Sequence, residues 1–154
     1  MTRYPILSDI IETVSAQFEG TLNLKNISIK QNIPNKLFTF ADKNMIKTVF
    51  RNLISNAIKY SELGGEIYIE TNELPNLIQI EIRDYGIGIP DEVVQKLFKI
   101  DQTHSTQGTL NETGTGLGLI LCKEFIDKHR GEIWIQNKRK KGTSFFFTIP
   151  IPPI

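Results

Sequence analysis

The sequence predicts a two-layer α/β sandwich of the α+β class, in which helices cover one face of a mixed, mostly antiparallel sheet. Two observations support this prediction. Amphipathic helical patterns and short alternating strands follow one another along the whole chain. The later strands come in pairs joined by turns, which is typical of antiparallel hairpins, whereas a doubly wound parallel sheet would place a helix between successive strands.

Length and composition indicate one globular domain, so we expect residues 1–154 to form a single unit. The chain has 154 residues, of which 40% are hydrophobic, and a chain of this size folds without covalent staples. Its 18 Lys and Arg nearly balance 17 Asp and Glu, which argues against a nucleic-acid-binding protein. One cysteine, Cys122, no membrane-length apolar run and no signal-peptide core predict a cytoplasmic domain without membrane contact.

The first half of the chain is predicted to contain two helices and two strands. An apolar period over residues 6–18 indicates an amphipathic helix that ends at Gly20. Short strands are predicted at 27–30 and 37–40, on either side of a Pro-Asn turn. The strongest pattern is a long helix with Asp42 as its N-cap. Its apolar side chains recur at helical spacing at Met45, Ile46, Val49, Phe50, Leu53, Ile54, Ala57 and Ile58.

The middle of the chain is predicted to form a hairpin, a short helix and a loop. Strands are expected at 66–71 and 77–84, and the second alternates Ile with polar residues, as a sheet with one buried face requires. Pro90 marks the start of a helix that reaches about Phe98. Residues 101–113 contain a single large apolar side chain, so they are predicted to form a mobile loop.

The last part is predicted to form a helix followed by a hairpin. The helix is expected over 114–129, with Gly131 as its C′ residue. The strands are expected at 132–136 and 144–149, on either side of a basic turn.

A polar cluster lies on the long helix. Asn52, Asn56 and Lys59 are spaced i, i+4 and i+7, so they project from one face. An amide oxygen can bind Mg²⁺, and an ammonium group one turn away can contact a phosphate. Taken alone, the cluster fits a solvated helix face better.

A second cluster, Asp84-Tyr85-Gly86-Ile87-Gly88-Ile89-Pro90, follows the alternating strand directly. Its glycines allow a tight turn and a close approach to a flat ligand, and its carboxylate can accept a hydrogen bond from an exocyclic amine. An ordinary turn between a strand and a helix explains the same residues equally well.

A third cluster opens the later helix. It consists of Gly114, Thr115, Gly116, Leu117, Gly118 and Leu119. Free N–H groups at a helix start can bind phosphates. The cluster is not a dinucleotide-binding fingerprint, since the third glycine is replaced and no strand precedes it, and it is not a P-loop.

Taken together and in this order, the clusters resemble the motifs of sensor histidine kinases. Residues 52–61 are similar to the N box, 84–89 to the G1 box, 114–119 to the G2 box and 141–145 to the G3 motif. The resemblance covers nearly the whole chain. It implies the Bergerat fold and the ATP-binding catalytic domain of a histidine kinase, in the superfamily of gyrase, Hsp90 and MutL.

The resemblance implies a triphosphate end of the site that binds Mg²⁺ and ATP. Asn56 would bind Mg²⁺, Asn52 would support the triphosphate and Lys59 would contact a phosphate; these three would be the catalytic side chains. Backbone N–H groups of residues 114–119 would hold phosphates.

The resemblance also implies an adenine end. Asp84 would bind the adenine amine, and Gly86 and Gly88 would shape the floor of the pocket. Tyr60 would lie near the nucleotide, and Thr143 would act on the adenine side through Asp84 or a water.

The implied reaction is transfer of the ATP γ-phosphoryl group to a histidine. Relatives that hydrolyse ATP carry a glutamate base where this chain has Asn52, and an amide cannot take a proton from water. His104 and His129 lack the acidic neighbour of a phosphoacceptor, so that histidine is expected on a separate dimerisation domain. A response regulator is the further partner implied, and the chain alone is expected to be monomeric and unable to phosphorylate itself.

Two features leave alternatives open. Phe98 is present, but the second phenylalanine of the F box is missing, which puts the packing of the lid, about 99–113, in doubt. The same site also fits a protein-serine kinase of the anti-sigma type, and a non-catalytic ATP-sensing module.

Overall fold

The computed structural model describes residues 4–94, 117–137 and 142–152. The helices are α1 (Leu7–Gln17), α2 (Glu19–Lys25), α3 (Lys43–Tyr60), α4 (Asp91–Val94) and α5 (Leu117–Lys128). The strands are β1 (Ser28–Asn32), β2 (Glu66–Glu73), β3 (Leu77–Asp84), β4 (Ile133–Asn137) and β5 (Thr143–Pro150).

The strands form one five-stranded sheet in the order β1-β2-β3-β5-β4. The β1–β2 pair is parallel and the other pairs are antiparallel. The register pairs Ile69 with Ile82 and Ile82 with Phe145, so apolar side chains lie in rows across the inner face. The predicted mixed, mostly antiparallel sheet is confirmed.

Helix α3 is the centre of the helical layer. It packs between α1 and α5 and against β3, and Phe50 meets Phe147 of β5 edge to face with ring centroids 5.2 Å apart. The buried side chains on the inner face of the sheet are Ile67, Ile69, Ile78, Ile80, Ile82, Phe145, Phe147 and Ile149. The two-layer sandwich with helices on one face is therefore confirmed.

Both ends of α3 are fixed by side chains. Asp42 is the N-cap, as predicted, since its Oδ1 accepts the N–H of Met45 at 3.0 Å. At the other end Lys25, which is buried, donates from Nζ to the carbonyl oxygens of Ile58 at 2.6 Å and Lys59 at 3.3 Å. A cation at the carboxyl end of a helix is stabilised by the helix dipole.

The predicted end of the first helix at Gly20 is wrong. Helix α1 ends at Gln17, and α2 then runs through Gly20 to Lys25. A glycine in a helix costs only about 1 kcal/mol, which surrounding contacts can offset. The helical region stops instead at Asn26, which adopts the left-handed conformation with φ 55° and ψ 45°.

The predicted strand at 37–40 is also wrong. Phe38 forms an isolated antiparallel bridge with Ile6, and the N–H of Phe40 donates to the carbonyl oxygen of Pro150 at 3.0 Å, but none of the strands in the described residues includes 37–40. Leu37 and Thr39 are buried while Phe38 is 44% exposed. The alternation in the sequence therefore reflects a segment with one buried side, and it does not indicate a strand that pairs within the sheet.

Gly131 does not serve as the C′ residue that we predicted. Arg130 takes the left-handed conformation at this point, with φ 57°. Gly131 is needed for a different reason, because a Cβ at this position would overlap the carbonyl oxygen of Thr148 on β5.

The other predicted elements are present with bounds shifted by a few residues where they lie in the described ranges. The end of the helix near Phe98, the loop at 101–113, His104 and the basic turn at 138–141 fall outside the described residues. In the three described ranges, no helix combines the length and the apolar character needed to cross a membrane.

Candidate functional site

The predicted N-box side chains lie along one side of α3. Asn52, Asn56 and Lys59 are all half-buried. From Asn52 to Tyr60 the helix rises about 12 Å. Each end of this span meets a different glycine-containing segment, so α3 joins the predicted clusters into one site.

Asn56 presents an oxygen that suits a cation. Its Nδ2 donates to the carbonyl oxygen of Asn52 at 2.9 Å, so the amide is oriented with Oδ1 as the atom that can bind a ligand. Among the described residues, no group of three His, Cys, Asp or Glu side chains could hold a metal ion. Mg²⁺ commonly binds through one or two protein oxygens together with substrate phosphates, and the donor set here fits that pattern.

Asn52 lies against the start of α5. A Cβ at Gly118 would lie 2.8 Å from Oδ1 of Asn52, so the glycine permits this approach of the two helices. Leu119, the next residue, is buried with 4% exposure. Of the remaining predicted residues of this cluster, Gly114, Thr115 and Gly116 lie outside the described residues. Leu117 is placed only as the first residue of α5.

Cys122, one turn further along α5, is a buried packing residue. Its Sγ donates to the carbonyl oxygen of Val49 at 3.8 Å. Burial raises the pKa of the Cys122 thiol to about 12, although a hydrogen bond with Asn52 acts in the opposite direction. The thiol is therefore unreactive at neutral pH.

The glycine turn after β3 packs on the carboxyl end of α3. The N–H of Ile87 donates to the carbonyl oxygen of Tyr60 at 3.0 Å. A Cβ at Gly86 would overlap that same oxygen, and Gly88 has φ +78°, so both glycines are required by the backbone. Tyr60 is buried, and the Lys59 ammonium lies 5.1 Å from its ring centroid.

Asp84 has a buried carboxylate with one oxygen that none of the described protein groups satisfies. The residue is 0% exposed, and its Oδ1 accepts the N–H of Gly86 at 2.9 Å. Its Oδ2 has no hydrogen-bond partner of ordinary geometry in the part of the chain that is described. Burial raises the pKa of Asp84 to about 6, and the backbone N–H groups of Gly86 and Thr143 partly offset this rise. Such an oxygen is costly unless a ligand donates to it.

The start of β5 closes the site on its other side. Gly142 has φ +90°, and a Cβ there would overlap the carbonyl oxygen of Asp84. Thr143 is buried, and its hydroxyl donates to Oδ1 of Asn137 at 3.1 Å. Thr143 therefore lies at the predicted end of the site, with its side chain bonded to a residue that the sequence did not single out.

Two residues of the site were missed by sequence reasoning. Lys25 holds the end of α3 that carries Lys59 and Tyr60, and Asn137 bonds to Thr143 and to the turn after β3. A buried lysine and an asparagine at the end of a strand have no local pattern that distinguishes them, so no signal in the sequence could have identified either.

The arrangement places helix α3 between two glycine-containing segments, the turn after β3 and the start of α5, and the class of protein that shares this arrangement follows from comparison with known families. The family of histidine kinase-, DNA gyrase B- and HSP90-like ATPases matches residues 41–153. The chain belongs to this family, and the resemblance stated from its motifs is confirmed.

Curated relatives include sensor kinases of two-component systems. The adaptive-response sensory kinase SasA of Synechocystis is 34% identical over 147 residues, which are 94% of this chain and 38% of that protein. The sensor histidine kinase WalK of Bacillus subtilis is 38% identical over 137 residues, which are 87% of this chain and 22% of that protein. The chain thus spans less than two fifths of the length of either relative.

Solved structures agree with this assignment. The nucleotide-free catalytic domain of histidine kinase ThkA has a TM-score of 0.81 and 32% identity, and the match covers 99% of this chain and 100% of that one. ThkA in complex with the response regulator protein TrrA has a TM-score of 0.78 and 29% identity, over 97% of this chain and 42% of that one. The fold is that of histidine kinase catalytic domains, the Bergerat fold.

Proposed function

We propose that this chain is the single ATP-binding catalytic domain of a sensor histidine kinase, and that it transfers the γ-phosphoryl group of ATP to a histidine on a dimerisation domain elsewhere in the same protein. The observation that supports this most strongly is the buried carboxylate of Asp84. Its Oδ2 lacks a hydrogen-bond partner among the described side chains and backbone groups, and a ligand amine would supply one.

At the adenine end, Asp84 accepts a hydrogen bond from the exocyclic amine. The turn through Gly86 and Gly88 lies close enough to the end of α3 to form the floor of a flat pocket. Tyr60 adds an aromatic side chain beside that floor, and Thr143 lies next to Asp84 on the neighbouring strand. These contacts select a purine with an amino group.

At the triphosphate end, Asn52, Asn56 and Lys59 face the phosphates, with backbone N–H groups of residues 114–119 as further donors. Oδ1 of Asn56 is the protein atom that binds Mg²⁺. Held there, Mg²⁺ would supply positive charge to offset the negative charge that develops on the phosphates during transfer. Lys59 adds a positive charge on the same side of α3.

The chemistry that these residues support is transfer and not hydrolysis. A neutral imidazole nitrogen carries a lone pair, so it can attack the γ-phosphorus in line without first losing a proton. The N–P bond forms as the P–O bond to ADP breaks, and the remaining ring N–H proton is then released to solvent. Water does require a protein base, and Asn52 cannot accept a proton. The protein contributes positioning and charge neutralisation.

Partners and location are further parts of the proposal. The kinase ThkA was solved with a response regulator, and we infer that a response regulator receives the phosphoryl group from the parent protein of this chain as well. The domain itself is proposed to be monomeric and to lie in the cytoplasm, where ATP is available.

The test is phosphoryl transfer in trans. The chain is incubated with Mg²⁺ and γ-labelled ATP, with and without the phosphoacceptor segment of its own parent protein. Label is expected only on the added segment, and it should be lost in acid, because phosphohistidine is acid-labile. Asn56→Ala should abolish labelling, while Asn44→Ala, an exposed asparagine on the same helix, should leave it unchanged.

Three results would contradict the proposal in different ways. Acid-stable label would indicate a protein-serine kinase. Stable label on His104 or His129 of the chain alone would show that the acceptor lies in this domain. Binding of ATP without any transfer would indicate a non-catalytic ATP-sensing module.

A further inference from the structure

Asn137, the last residue of β4, uses its whole amide group in hydrogen bonds. Its Nδ2 donates to the carbonyl oxygen of Ile89 at 2.6 Å and to Oδ1 of Asp91 at 2.8 Å. Its Oδ1 accepts the hydroxyl of Thr143 at 3.1 Å and the N–H of Ile89 at 3.4 Å. These are the two donor and two acceptor positions that a carboxamide has.

The chemistry of these partners fixes the orientation of the amide. The carbonyl of Ile89 and the carboxylate of Asp91 can only accept, so the nitrogen must face them. The oxygen of Asn137 then faces Thr143. Because a carboxamide oxygen cannot donate, the single hydroxyl proton of Thr143 lies in this bond. Oγ1 of Thr143 is therefore left with lone pairs alone for any other partner.

Asn137, Thr143 and Asp84 lie in a row at one end of the sheet. Asn137 pairs with Thr143 across the β4–β5 ladder. Arg83 pairs with Ser144 across the β3–β5 ladder, so the next position brings Asp84 beside Thr143. Side chains opposite each other in a ladder point to the same face, so all three point to the helix-covered side where the candidate site lies.

We propose that Asn137 is a positioning residue that makes the site select adenine. By holding the proton of Thr143, it turns the hydroxyl into an acceptor beside the carboxylate of Asp84. Two neighbouring acceptors favour a base that carries an exocyclic amine and disfavour a base that carries a carbonyl at that position. This inference rests on the proposed ATP site, and it concerns how the site distinguishes bases.

Asn137 also holds the turn that forms the floor of the pocket. It bonds to both backbone groups of Ile89, which follows the left-handed Gly88. Ile89 is 48 residues away in sequence. The side chain of Asn137 thus fixes both the position of the turn at Ile89 and the orientation of the Thr143 hydroxyl.

The test compares ATP with ITP, the triphosphate of hypoxanthine, which has a carbonyl in place of the amine. Dissociation constants for both are measured by calorimetry on the parent chain and its variants. The parent should prefer ATP. Asn137→Ala should lower the ATP-to-ITP preference about tenfold, the equivalent of one hydrogen bond. Gln136→Ala, an exposed neighbour on the outer face of β4, is the matched control.

A double-mutant cycle tests whether Asn137 acts through the hydroxyl. Thr143→Val should lower the preference about tenfold, and adding Asn137→Ala to it should cause little further change, because the same interaction is already lost. A purely structural role would instead weaken both nucleotides equally and leave the preference unchanged.

The outcomes separate this inference from the proposed function. If the parent chain binds neither nucleotide, the proposed ATP site is wrong and the inference falls with it. If the parent prefers ATP but Asn137→Ala keeps the full preference, the inference alone is wrong. If Asn137→Ala does not fold, Thr143→Val decides, since an unchanged preference in that variant also overturns the inference.

Discussion

Oδ1 of Asn52 would lie 2.8 Å from a Cβ placed on Gly118. The polar face of α3 and the glycine at the start of α5 are thus in direct contact, although they are far apart in sequence. The contact joins the helix that would bind the cation to the segment that would bind phosphates.

Gly118→Ala should therefore weaken ATP binding more than it changes stability. The new methyl group must displace the amide of Asn52, which is the flexible end of a side chain, so the backbone can remain in place. We expect ATP affinity to fall about tenfold, which corresponds to one lost hydrogen bond, measured by calorimetry.

The matched control for this variant is Gly20→Ala. Gly20 also lies in a helix, and a Cβ there would meet nothing within 4 Å. This change should leave ATP affinity unchanged and stabilise the chain by about 0.4–1 kcal/mol. Equal effects of the two substitutions on affinity would contradict the assigned contact.

The pH dependence of stability should show the burial of Asp84. Its pKa rises from an ordinary value of 3.8 to about 6 on folding, so between these values the folded chain binds more protons than the unfolded chain. The contribution of this group to the free energy of unfolding is full at low pH and is lost as the pH rises to about 6. Above that pH, ionised Asp84 costs about 3 kcal/mol.

Asp84→Asn isolates this contribution, because the amide does not titrate. Urea unfolding is measured for both proteins from pH 4 to pH 8. The free energy of unfolding of the variant should increase relative to that of the parent chain as the pH rises to about 6, and the difference should then stay constant. A difference that is the same at every pH would contradict the assigned cost of the buried carboxylate.

Nucleotide affinity should change in the opposite sense. The amine of adenine requires the ionised carboxylate as acceptor, so ATP affinity should fall as the pH drops below about 6. Adenosine serves as the control ligand, since it lacks the phosphates, which themselves titrate near this pH. The same decline with adenosine would assign the effect to the base end of the site.

Lys25→Met should destabilise the end of α3 and reduce nucleotide binding together. The methionine keeps the length of the buried side chain but cannot donate to the carbonyl oxygens of Ile58 and Lys59. We expect a loss of about 1–3 kcal/mol in the free energy of unfolding. Lys30→Met, at an exposed position on β1, should have little effect on either measurement, and a similar loss there would contradict the assigned role of Lys25.

Adjacent residues after α5 should respond oppositely to substitution. Arg130→Gly relieves a left-handed conformation and should raise the free energy of unfolding by about 1 kcal/mol. Gly131→Ala forces a Cβ against the backbone of Thr148 and should cost more than about 2 kcal/mol. Thermal unfolding measures both, and a tolerated Gly131→Ala would show that the close approach to β5 is not required.

The parts of the fold that the sequence predicts are those set by local chemistry. The apolar period and the Asp42 cap define α3, because both act within a few residues. The alternation of Ile78, Ile80 and Ile82 defines β3 with its observed bounds. The motif residues of the candidate site are recognised differently, because each cluster alone has an ordinary explanation and only their order resembles a known family.

The features that the sequence does not predict depend on contacts between distant segments. Lys25 meets Ile58 across 33 residues, and Asn137 meets Ile89 across 48. Gly131 illustrates a related difficulty, since a glycine after a helix serves equally well as a left-handed cap or as a point of close approach, and only the position of β5 decides. The segment at 37–40 has the alternation of a strand, but its pairing in the described residues is an isolated bridge between Ile6 and Phe38 and not a ladder.

Binding of Mg²⁺–ATP through Asp84 is tested most directly by thermal unfolding of the parent chain and of Asp84→Asn, each with and without ATP. ATP at about 100 times its dissociation constant should add about 2.7 kcal/mol to the free energy of unfolding. For a domain of this size the unfolding temperature should rise by about 5–11 °C. Asp84→Asn should fold at least as stably at neutral pH and show no rise with ATP. An absent shift in the parent chain, or an equal shift in Asp84→Asn, would contradict the account.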